Sequence, residues 1–322
     1  MSIGVIGGGA WGTALAQVAS GADDVLLWAR EPEVVAAIND THENILFLPG
    51  RTLSPRIRAT AALDELSGCG MVLAVAPAQH LRAVLGDLGG DAPLVLCSKG
   101  LEADSCKLMS EVAADVRPNA PLAVLSGPTF AHEVASGLPT AVTLACIDEA
   151  LGRDLAARLA RPWFRPYHST DVIGAEVGGA VKNVLAIACG VVEGRGLGQN
   201  ARAALISRGF AEMTRFGLAK GARPETLAGL SGLGDLVLTC SSVSSRNFAL
   251  GKGIGEGRAA VELLADRRTV AEGAFTAPVL QQAARAMGVD MPVVDAVSAL
   301  LGGSASVGDV VSTLLARPLR PE

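Results

Sequence analysis

The sequence predicts an α/β fold in two parts: an N-terminal, Rossmann-type doubly wound domain over residues 1–175, and an all-α C-terminal domain over residues 176–322. Three observations support this prediction. Apolar, strand-like runs alternate with helical stretches in the first half of the chain. The chain begins with an apolar run, a glycine-rich turn and a helix, which is the order of a dinucleotide-binding unit. After about residue 175, helical periodicity replaces the strand-like runs.

The first half contains six apolar runs that we predict as strands. Because such continuous runs separated by helices are typical of a parallel sheet buried on both faces, we expect a parallel sheet. Ligands of these sheets bind at the carboxyl ends of the strands, so the segments that follow the strands are candidate sites. The predicted strands are residues 3–6, 25–29, 71–75, 94–97, 122–125 and 140–145.

The second half reads as helices interrupted by glycine-rich turns. Its helical periodicity leaves no strand-like run, which predicts an all-α domain. The predicted helices are residues 176–193, 200–219, 224–229, 245–256, 259–265, 275–287, 292–301 and 306–315.

Composition narrows the classes of function. The chain has 322 residues, half of them hydrophobic, and a net charge of −5, so we expect two domains and no nucleic-acid partner. Its six cysteines and four histidines are dispersed without metal-ligand spacing, and we expect no metal site. The sequence shows neither a signal peptide nor a confident membrane span, and its thiols suit a reducing compartment, so we expect a cytoplasmic protein.

The glycine-rich turn is the strongest local indication of function. Gly7, Gly9 and Gly12 have the spacing in which the first glycine permits a tight turn, the second lets the backbone approach a pyrophosphate, and the third lets the helix pack on the strand. The helix N-terminus then presents free N–H groups to the phosphates. A glycine turn that only ends a strand is the alternative, but the strand–turn–helix order favours nucleotide binding.

Arg30 closes the second predicted strand, where NAD enzymes commonly carry an acidic residue that binds the ribose 2′-hydroxyl. Because an arginine suits a 2′-phosphate, the sequence slightly favours NADP over NAD. The alternative is a surface arginine that pairs with Glu31.

Lys182 is the one charged side chain in the apolar run 177–192. Gly179, Lys182 and Asn183 fall on one helical face, so two polar groups lie beside very small residues. A lysine in apolar surroundings can exchange a proton near neutral pH. A lysine that extends to solvent at the edge of the helix is an equally good interpretation at this point.

Three further segments contain candidate polar groups. Lys99 follows a predicted strand and is either a phosphate or carbonyl ligand or a solvated loop residue. Asp235 follows a glycine pair and either caps a helix or orients a catalytic cation. Ser245, Arg246 and Asn247 stand at a predicted helix start, where they either cap the helix or bind a phosphate.

Taken together, these segments resemble the NAD(P)-dependent glycerol-3-phosphate dehydrogenases of bacteria over nearly the whole chain. Alanine at position 10 and serine at position 207 replace the serine and threonine that are frequent in that family. The matching stretches are residues 7–16, 47–50, 98–102, 126–131, 137–141, 178–184, 203–209, 232–236, 245–247 and 270–273.

The resemblance implies reversible reduction of dihydroxyacetone phosphate to sn-glycerol 3-phosphate for glycerophospholipid synthesis, in a homodimer. It implies that Lys182 is the proton donor and acceptor, with Lys99 and Asp235 as further catalytic residues. With the glycines of the turn (Gly7, Gly9 and Gly12), the implied cofactor contacts are Ala10, Trp11, Arg30, Lys99, Ala131, Arg246, Val270 and Glu272. The implied substrate contacts are Lys99, Gly127, Thr129, Lys182, Asp235, Ser245, Arg246 and Asn247.

Two other functions stay open from the sequence. One is a related dehydrogenase for a different substrate, such as a β-hydroxyacid, which would also use a lysine. The other is a sensor that binds a nucleotide without turnover, which would not need Lys99, Lys182 and Arg246 together.

Overall fold

An eight-stranded sheet organises the first half of the chain in the computed structural model, which describes residues 2–265 and 271–318. The order across the sheet is β10-β9-β8-β7-β6-β1-β2-β5, and a separate two-stranded hairpin pairs β3 with β4. The strands are β1 (Ile3–Ile6), β2 (Val25–Trp28), β3 (Glu43–Asn44), β4 (Leu48–Thr52), β5 (Ile57–Thr60), β6 (Met71–Ala74), β7 (Leu94–Leu96), β8 (Leu122–Ser126), β9 (Thr140–Cys146) and β10 (Phe164–Ser169).

The prediction of an α/β domain followed by helices is confirmed, and the predicted parallel sheet is present with one antiparallel pair that was not expected. β9 pairs antiparallel with β8, and β10 pairs parallel with β9, so the last two strands run against the others. All six predicted strands are present, but the hairpin strands β3 and β4 and the sheet strands β5 and β10 were missed. Arginine and threonine interrupt the apolar pattern of β5, and arginine, proline and histidine interrupt that of β10. Both strands lie at the edges of the sheet, where such residues are tolerated.

Helices cover the sheet, whose strands β1, β6 and β7 are buried along their whole length. β1 begins with buried apolar residues and ends at the glycine turn, from which the first helix starts. The helices of this half are α1 (Ala10–Ala19), α2 (Pro32–Thr41), α3 (Leu81–Asp87), α4 (Met109–Val116), α5 (Ala131–Ala135) and α6 (Glu149–Leu159).

The second half is helical among the residues described, with one π-helical turn at Leu230–Gly234. The sequence predicted most of these helices but not α10, because the neighbouring glycines look like a plain turn. The helices are α7 (Val172–Gly194), α8 (Gly198–Lys220), α9 (Pro224–Leu227), α10 (Asp235–Cys240), α11 (Arg246–Gly255), α12 (Ala260–Leu264), α13 (Glu272–Ala286), α14 (Pro292–Leu301) and α15 (Val307–Leu315).

Packing divides the chain into two compact units. The first unit is Met1–Lys99 with Lys107–Glu176, and the second unit is Gly100–Cys106 with Val177–Glu322. A short segment ahead of α4 therefore clusters with the helical unit. The domain division at residues 175 and 176 stays a prediction.

α7 is long and apolar enough to cross a membrane by length and composition. However, 89% of its most apolar window is buried inside the protein, which is typical of a core helix. It is the one described helix that meets this criterion.

Candidate active site

The glycine turn of the first unit leaves room for a ligand at one position and none at the others. Gly7 has a φ of +117°, and a Cβ there would lie 3.1 Å from the carbonyl oxygen of Val75. A Cβ at Gly12 would overlap the carbonyl oxygen of Gly7, because helix and strand approach closely there. At Gly9, by contrast, a Cβ would meet no atom within 4 Å in the part of the chain that the structure describes. The turn therefore fits a pyrophosphate that approaches the backbone at Gly9.

The start of α1 supplies hydrogen-bond donors at the same turn. Gly9 is the N-cap residue and provides no side-chain cap, so the first N–H groups of the helix, beginning with Ala10, stay available to an anion. The indole Nε1 of Trp11 is buried, and no partner for it exists among the described residues. A buried donor without a partner is uncommon and is consistent with a ligand acceptor at this place.

Arg30 lies on the surface, with 78% of its side chain exposed, and its guanidinium donates to the Glu31 carboxylate at 3.1 Å. The surface pair proposed as the alternative interpretation is therefore present. Such pairs contribute little to stability, so this contact does not explain the arginine by itself.

Three predicted residues meet at the carboxyl ends of β7 and β8. Lys99 Nζ and Thr129 Oγ1 each donate to the carbonyl oxygen of Gly127 at 3.3 Å. Gly127 has a φ of +155°, and a Cβ there would lie 2.9 Å from the Val142 backbone, so glycine is required. Ala131 begins α5 shortly afterwards. The structure thus brings Lys99, Gly127 and Thr129 together.

Lys182 lies in a buried charged cluster of the second unit. Its Nζ donates to Asp235 Oδ1 at 3.1 Å and to Thr239 Oγ1 at 2.9 Å, and the Thr239 hydroxyl donates to Asp235 Oδ1 at 3.2 Å. Lys182 is 7% exposed and Asp235 is fully buried. The interpretation of Lys182 as a solvent-seeking lysine is therefore wrong, and Asp235 contacts the cation as one of its two interpretations predicted.

The π-helical turn that precedes α10 packs closely against the backbone of α7. A Cβ at Gly178, one turn before Lys182, would overlap the carbonyl oxygen of Ser231 in the π-helical turn. A Cβ at Gly232 in the same turn would overlap the carbonyl of Leu227. Because π-turns often occur at functional sites, the placement of Asp235 directly after one is consistent with a functional role.

The remaining predicted polar residues, 245–247, lie at the start of α11. Ser245 is the N-cap residue and accepts from the Phe248 N–H at 3.3 Å, which confirms the capping interpretation. Arg246 is exposed at the first helical position. Asn247 is buried; its Nδ2 donates to Asn183 Oδ1 at 3.0 Å and its Oδ1 accepts from the Gly273 N–H at 2.9 Å.

Glu272 is the first residue of α13, directly before the Gly273 N–H that Asn247 holds. Val270, the other residue implied at this segment, lies outside the described residues. In the part of the chain that the structure describes, no group of three or more histidine, cysteine, aspartate or glutamate side chains is placed to hold a metal ion.

Two buried polar residues were missed by the sequence analysis. Thr239 stands four residues after Asp235, so recognition of α10 as a helix would have placed both on one face. Asn44 donates from Nδ2 to the carbonyl oxygen of Gly8 at 2.7 Å, beneath the glycine turn. Nothing local in the sequence connects residues 36 positions apart, so Asn44 could not have been found from spacing.

A glycine turn built for a dinucleotide and a buried lysine–aspartate pair define a nucleotide-dependent oxidoreductase. Comparison with known proteins gives the class more closely. The sequence model described as "NAD-dependent glycerol-3-phosphate dehydrogenase N-terminus" matches residues 2–152, and that of the C-terminus matches residues 171–312. The chain belongs to the NAD-dependent glycerol-3-phosphate dehydrogenase family.

Individual relatives in this family match the chain over nearly its full length. The chain is 64% identical to an NAD(P)+ glycerol-3-phosphate dehydrogenase of Sphingopyxis alaskensis, covering 100% of this chain and 98% of the relative. It is also 64% identical to that of Novosphingobium aromaticivorans, covering 99% and 98%. The crystal structure of glycerol-3-phosphate dehydrogenase from Coxiella burnetii aligns with a TM-score of 0.94 at 37% identity, covering 98% of this chain and 99% of that one.

These matches support an NAD(P)-dependent glycerol-3-phosphate dehydrogenase, and the predicted family, enzyme class and cofactor type are confirmed. They favour neither the β-hydroxyacid enzyme nor the sensor that the sequence had left open.

Proposed function

We propose that this glycerol-3-phosphate dehydrogenase reduces dihydroxyacetone phosphate reversibly, with Lys182 as the group that donates and accepts the proton. The observation that supports this role is the buried cluster of Lys182, Asp235 and Thr239. A bound NADPH or NADH supplies the hydride, and the protein supplies position, charge and the proton.

In the direction of reduction, the Lys182 ammonium donates a proton to the substrate oxygen as that oxygen becomes an alkoxide. In the reverse direction, the neutral amine accepts the proton of the hydroxyl. Asp235 and Thr239 accept two of the three N–H groups of Lys182. These two acceptors hold the ammonium in place, and the Asp235 carboxylate offsets its buried charge.

Lys99 is proposed to add positive charge for the substrate oxygen and to contact the cofactor as well. Its ammonium is held by the Gly127 carbonyl, which also accepts from Thr129. Preorganised charge of this kind costs no rearrangement during the reaction. Gly127 and Thr129 are proposed to line the substrate position.

The start of α11 is proposed to hold the substrate phosphate. It combines the N–H groups of a ten-residue helix, the exposed guanidinium of Arg246 and the hydroxyl of Ser245. Asn247 also belongs to this proposed site. Because both ends of its amide already bind protein groups, its main contribution is to fix the helix start.

The cofactor is proposed to bind at the glycine turn, where the open space at Gly9 and the unpartnered donor of Trp11 fit a pyrophosphate. The exposed Arg30 slightly favours NADP over NAD. The other proposed cofactor contacts are Gly7, Ala10, Gly12, Lys99, Ala131, Arg246, Val270 and Glu272.

The cellular context extends this proposal. Reduction would supply sn-glycerol 3-phosphate for phospholipid synthesis by a cytoplasmic homodimer without a nucleic-acid partner. Sedimentation at micromolar concentration measures the oligomeric state directly, and a monomer under assay conditions would remove the dimer from the proposal.

The first test follows the absorbance of NADPH, and separately of NADH, with dihydroxyacetone phosphate as substrate. We expect turnover with both, and a higher kcat/KM with NADPH. Arg30→Ala should lower kcat/KM for NADPH about tenfold, as for one lost phosphate contact, and leave that for NADH unchanged. Equal effects on both cofactors would remove Arg30 from the 2′-phosphate site. Absence of turnover with dihydroxyacetone phosphate would contradict the proposed substrate.

A further inference from the structure

The β3–β4 hairpin places a fully buried amide beneath the glycine turn. Asn44 has no exposed surface, and its Nδ2 donates both to the Gly8 carbonyl oxygen at 2.7 Å and to Thr13 Oγ1 at 2.8 Å. Its Oδ1 accepts from the Phe47 N–H at 3.0 Å. Both N–H groups of the amide and its oxygen therefore have partners, and the Asn44 side chain connects the hairpin to the glycine turn.

The Thr13 hydroxyl completes the arrangement. It is fully buried on the first turns of α1 and donates to the same Gly8 carbonyl at 3.4 Å, while it accepts from Asn44. Two side chains therefore hold one carbonyl group of the glycine turn from the same side.

Holding this carbonyl has a geometric consequence. The described residues include no cis peptide bond, so the peptide between Gly8 and Gly9 is trans, and its carbonyl and N–H point in opposite directions. Since Asn44 and Thr13 hold the Gly8 carbonyl, the Gly9 N–H points away from them. Glycines on both sides of this peptide rotate easily, so without a fixed partner the peptide plane would be poorly defined.

We propose that Asn44 is a positioning residue for cofactor binding, because its amide fixes the Gly8–Gly9 peptide so that the Gly9 N–H faces the pyrophosphate. This inference rests on the proposed cofactor site at the glycine turn. It also gives a physical role to the hairpin around residues 47–50, which the sequence singled out and the proposed reaction does not otherwise use.

Asn44→Asp, measured at about pH 8 where an aspartate is ordinarily ionised, tests the proposal because it keeps the acceptor for Phe47 and replaces the donor to Gly8 with a repelling oxygen. We expect the dissociation constants of both NADPH and NADH to rise about tenfold, as for one lost buried hydrogen bond. The KM for dihydroxyacetone phosphate and the kcat at saturating cofactor should change less than about twofold.

Glu43→Ala is the matched control. Glu43 precedes Asn44 in β3 and its carboxylate accepts from the Gly50 N–H at 2.6 Å, so the variant loosens the same hairpin without touching the glycine turn. We expect unchanged cofactor affinity. If both variants weaken the cofactor equally, in proportion to their loss of thermal stability, Asn44 only anchors the hairpin and the proposal is overturned.

Thr13→Val provides a second test if Asn44→Asp fails to fold. At nearly the same volume, it removes the weaker donor to the Gly8 carbonyl and the hydroxyl that accepts from Asn44. We expect a rise of about threefold in the cofactor dissociation constants, and no change would count against the proposal. Gly9→Ala separates the role of Asn44 from the presence of the cofactor site at the glycine turn. If Gly9→Ala weakens cofactor binding and Asn44→Asp does not, only the role of Asn44 fails; if Gly9→Ala has no effect, the cofactor site itself fails.

Discussion

The glycine turn and the Lys182 cluster are built by opposite means. The turn has backbone N–H groups, a helix N-terminus and a neutral amide that holds one carbonyl, with no charged side chain among these parts. The cluster buries a full ammonium and a full carboxylate at 3.1 Å. An anion can be bound by partial charges alone, whereas proton transfer needs a group that titrates, and a buried cation needs a partner.

The two regions also differ in how they fail. A site built from backbone groups loses its ligand when a side chain occupies its space or the peptide plane rotates, and the stability of the fold can stay nearly unchanged. A buried ion pair fails when one partner is removed, because the remaining charge is left without compensation. The predictions below use this difference, beginning with the largest expected effect.

Lys182→Met should lower kcat at least about a thousandfold, because it removes the proposed proton donor. It should also destabilise the protein by about 3–5 kcal/mol, since Asp235 is left buried without its cation. Stopped assays with saturating cofactor and urea unfolding measure the two effects, and the cofactor dissociation constant should stay unchanged.

Lys252→Met is the matched control, since Lys252 forms a half-exposed pair with Glu256 at 3.5 Å in α11. The same substitution there should cost less than about 0.5 kcal/mol and leave kcat unchanged. A Lys182→Met enzyme with near-normal kcat would contradict the proton-transfer role.

Gly12→Ala and Gly9→Ala should separate folding from binding at the turn. A Cβ at Gly12 overlaps the Gly7 carbonyl, so this variant should lose both stability and cofactor affinity. A Cβ at Gly9 meets no atom of the described residues within 4 Å and the φ there is −70°, so this variant should keep its melting temperature. Its cofactor affinity should nevertheless fall about tenfold or more, because the methyl group occupies the pyrophosphate space.

Calorimetry with cofactor titration measures both variants. A Gly9→Ala protein with wild-type affinity would show that the pyrophosphate does not approach this residue. Equal melting temperatures for the two variants would instead show that the tight packing at Gly12 relaxes readily.

Glu212 combines the two modes of construction, because a buried carboxylate is held by backbone N–H groups. It lies on α8, is 1% exposed and accepts from Val293 at 2.8 Å and Val294 at 3.3 Å, at the start of α14. Burial raises the pKa of Glu212 to about 7, against the opposing effect of these N–H donors. A carboxyl group with a raised pKa in the folded state binds its proton more tightly there than in the unfolded chain.

The folded protein should therefore lose stability as the pH rises from about 4.5 to about 7, by up to about 3 kcal/mol from this group. Glu212→Gln should remove this part of the pH dependence. The free energy of unfolding of the variant should therefore rise relative to that of the wild type as the pH rises. Urea unfolding at several pH values checks the slope. The exposed Glu262→Gln should keep the wild-type slope, and an equal slope for Glu212→Gln would contradict the prediction.

The two regions were not equally predictable from the sequence. Gly7, Gly9 and Gly12 act within one turn, so their spacing contains the geometry. Lys182 meets Asp235 and Thr239 across 53 and 57 positions, and its partners depend on the packing of α7 against α10. The sequence could name Lys182 and Asp235 as candidates but left each with two interpretations, because spacing does not contain long-range packing.

The sheet shows the same limit. Continuous apolar runs predicted six strands correctly, because burial on both faces leaves a direct trace in composition. Strand direction leaves no such trace, so the antiparallel pairing of β8 with β9 was missed. β10 was missed since an edge strand is allowed the arginine, proline and histidine that a central strand excludes.

The reversed direction of β9 also determines at which edge of the sheet each turn of the first unit lies, and this is useful for protein engineering. The turns after β1, β2, β6, β7 and β8 open at one edge of the sheet, and the turn after β9 opens at the opposite edge. Ile147, directly after β9, is 81% exposed. A fluorophore or an immobilisation tag attached at this residue would sit across the sheet from the glycine turn, which makes Ile147 a suitable anchor for a surface-bound sensor of reduced nicotinamide nucleotides.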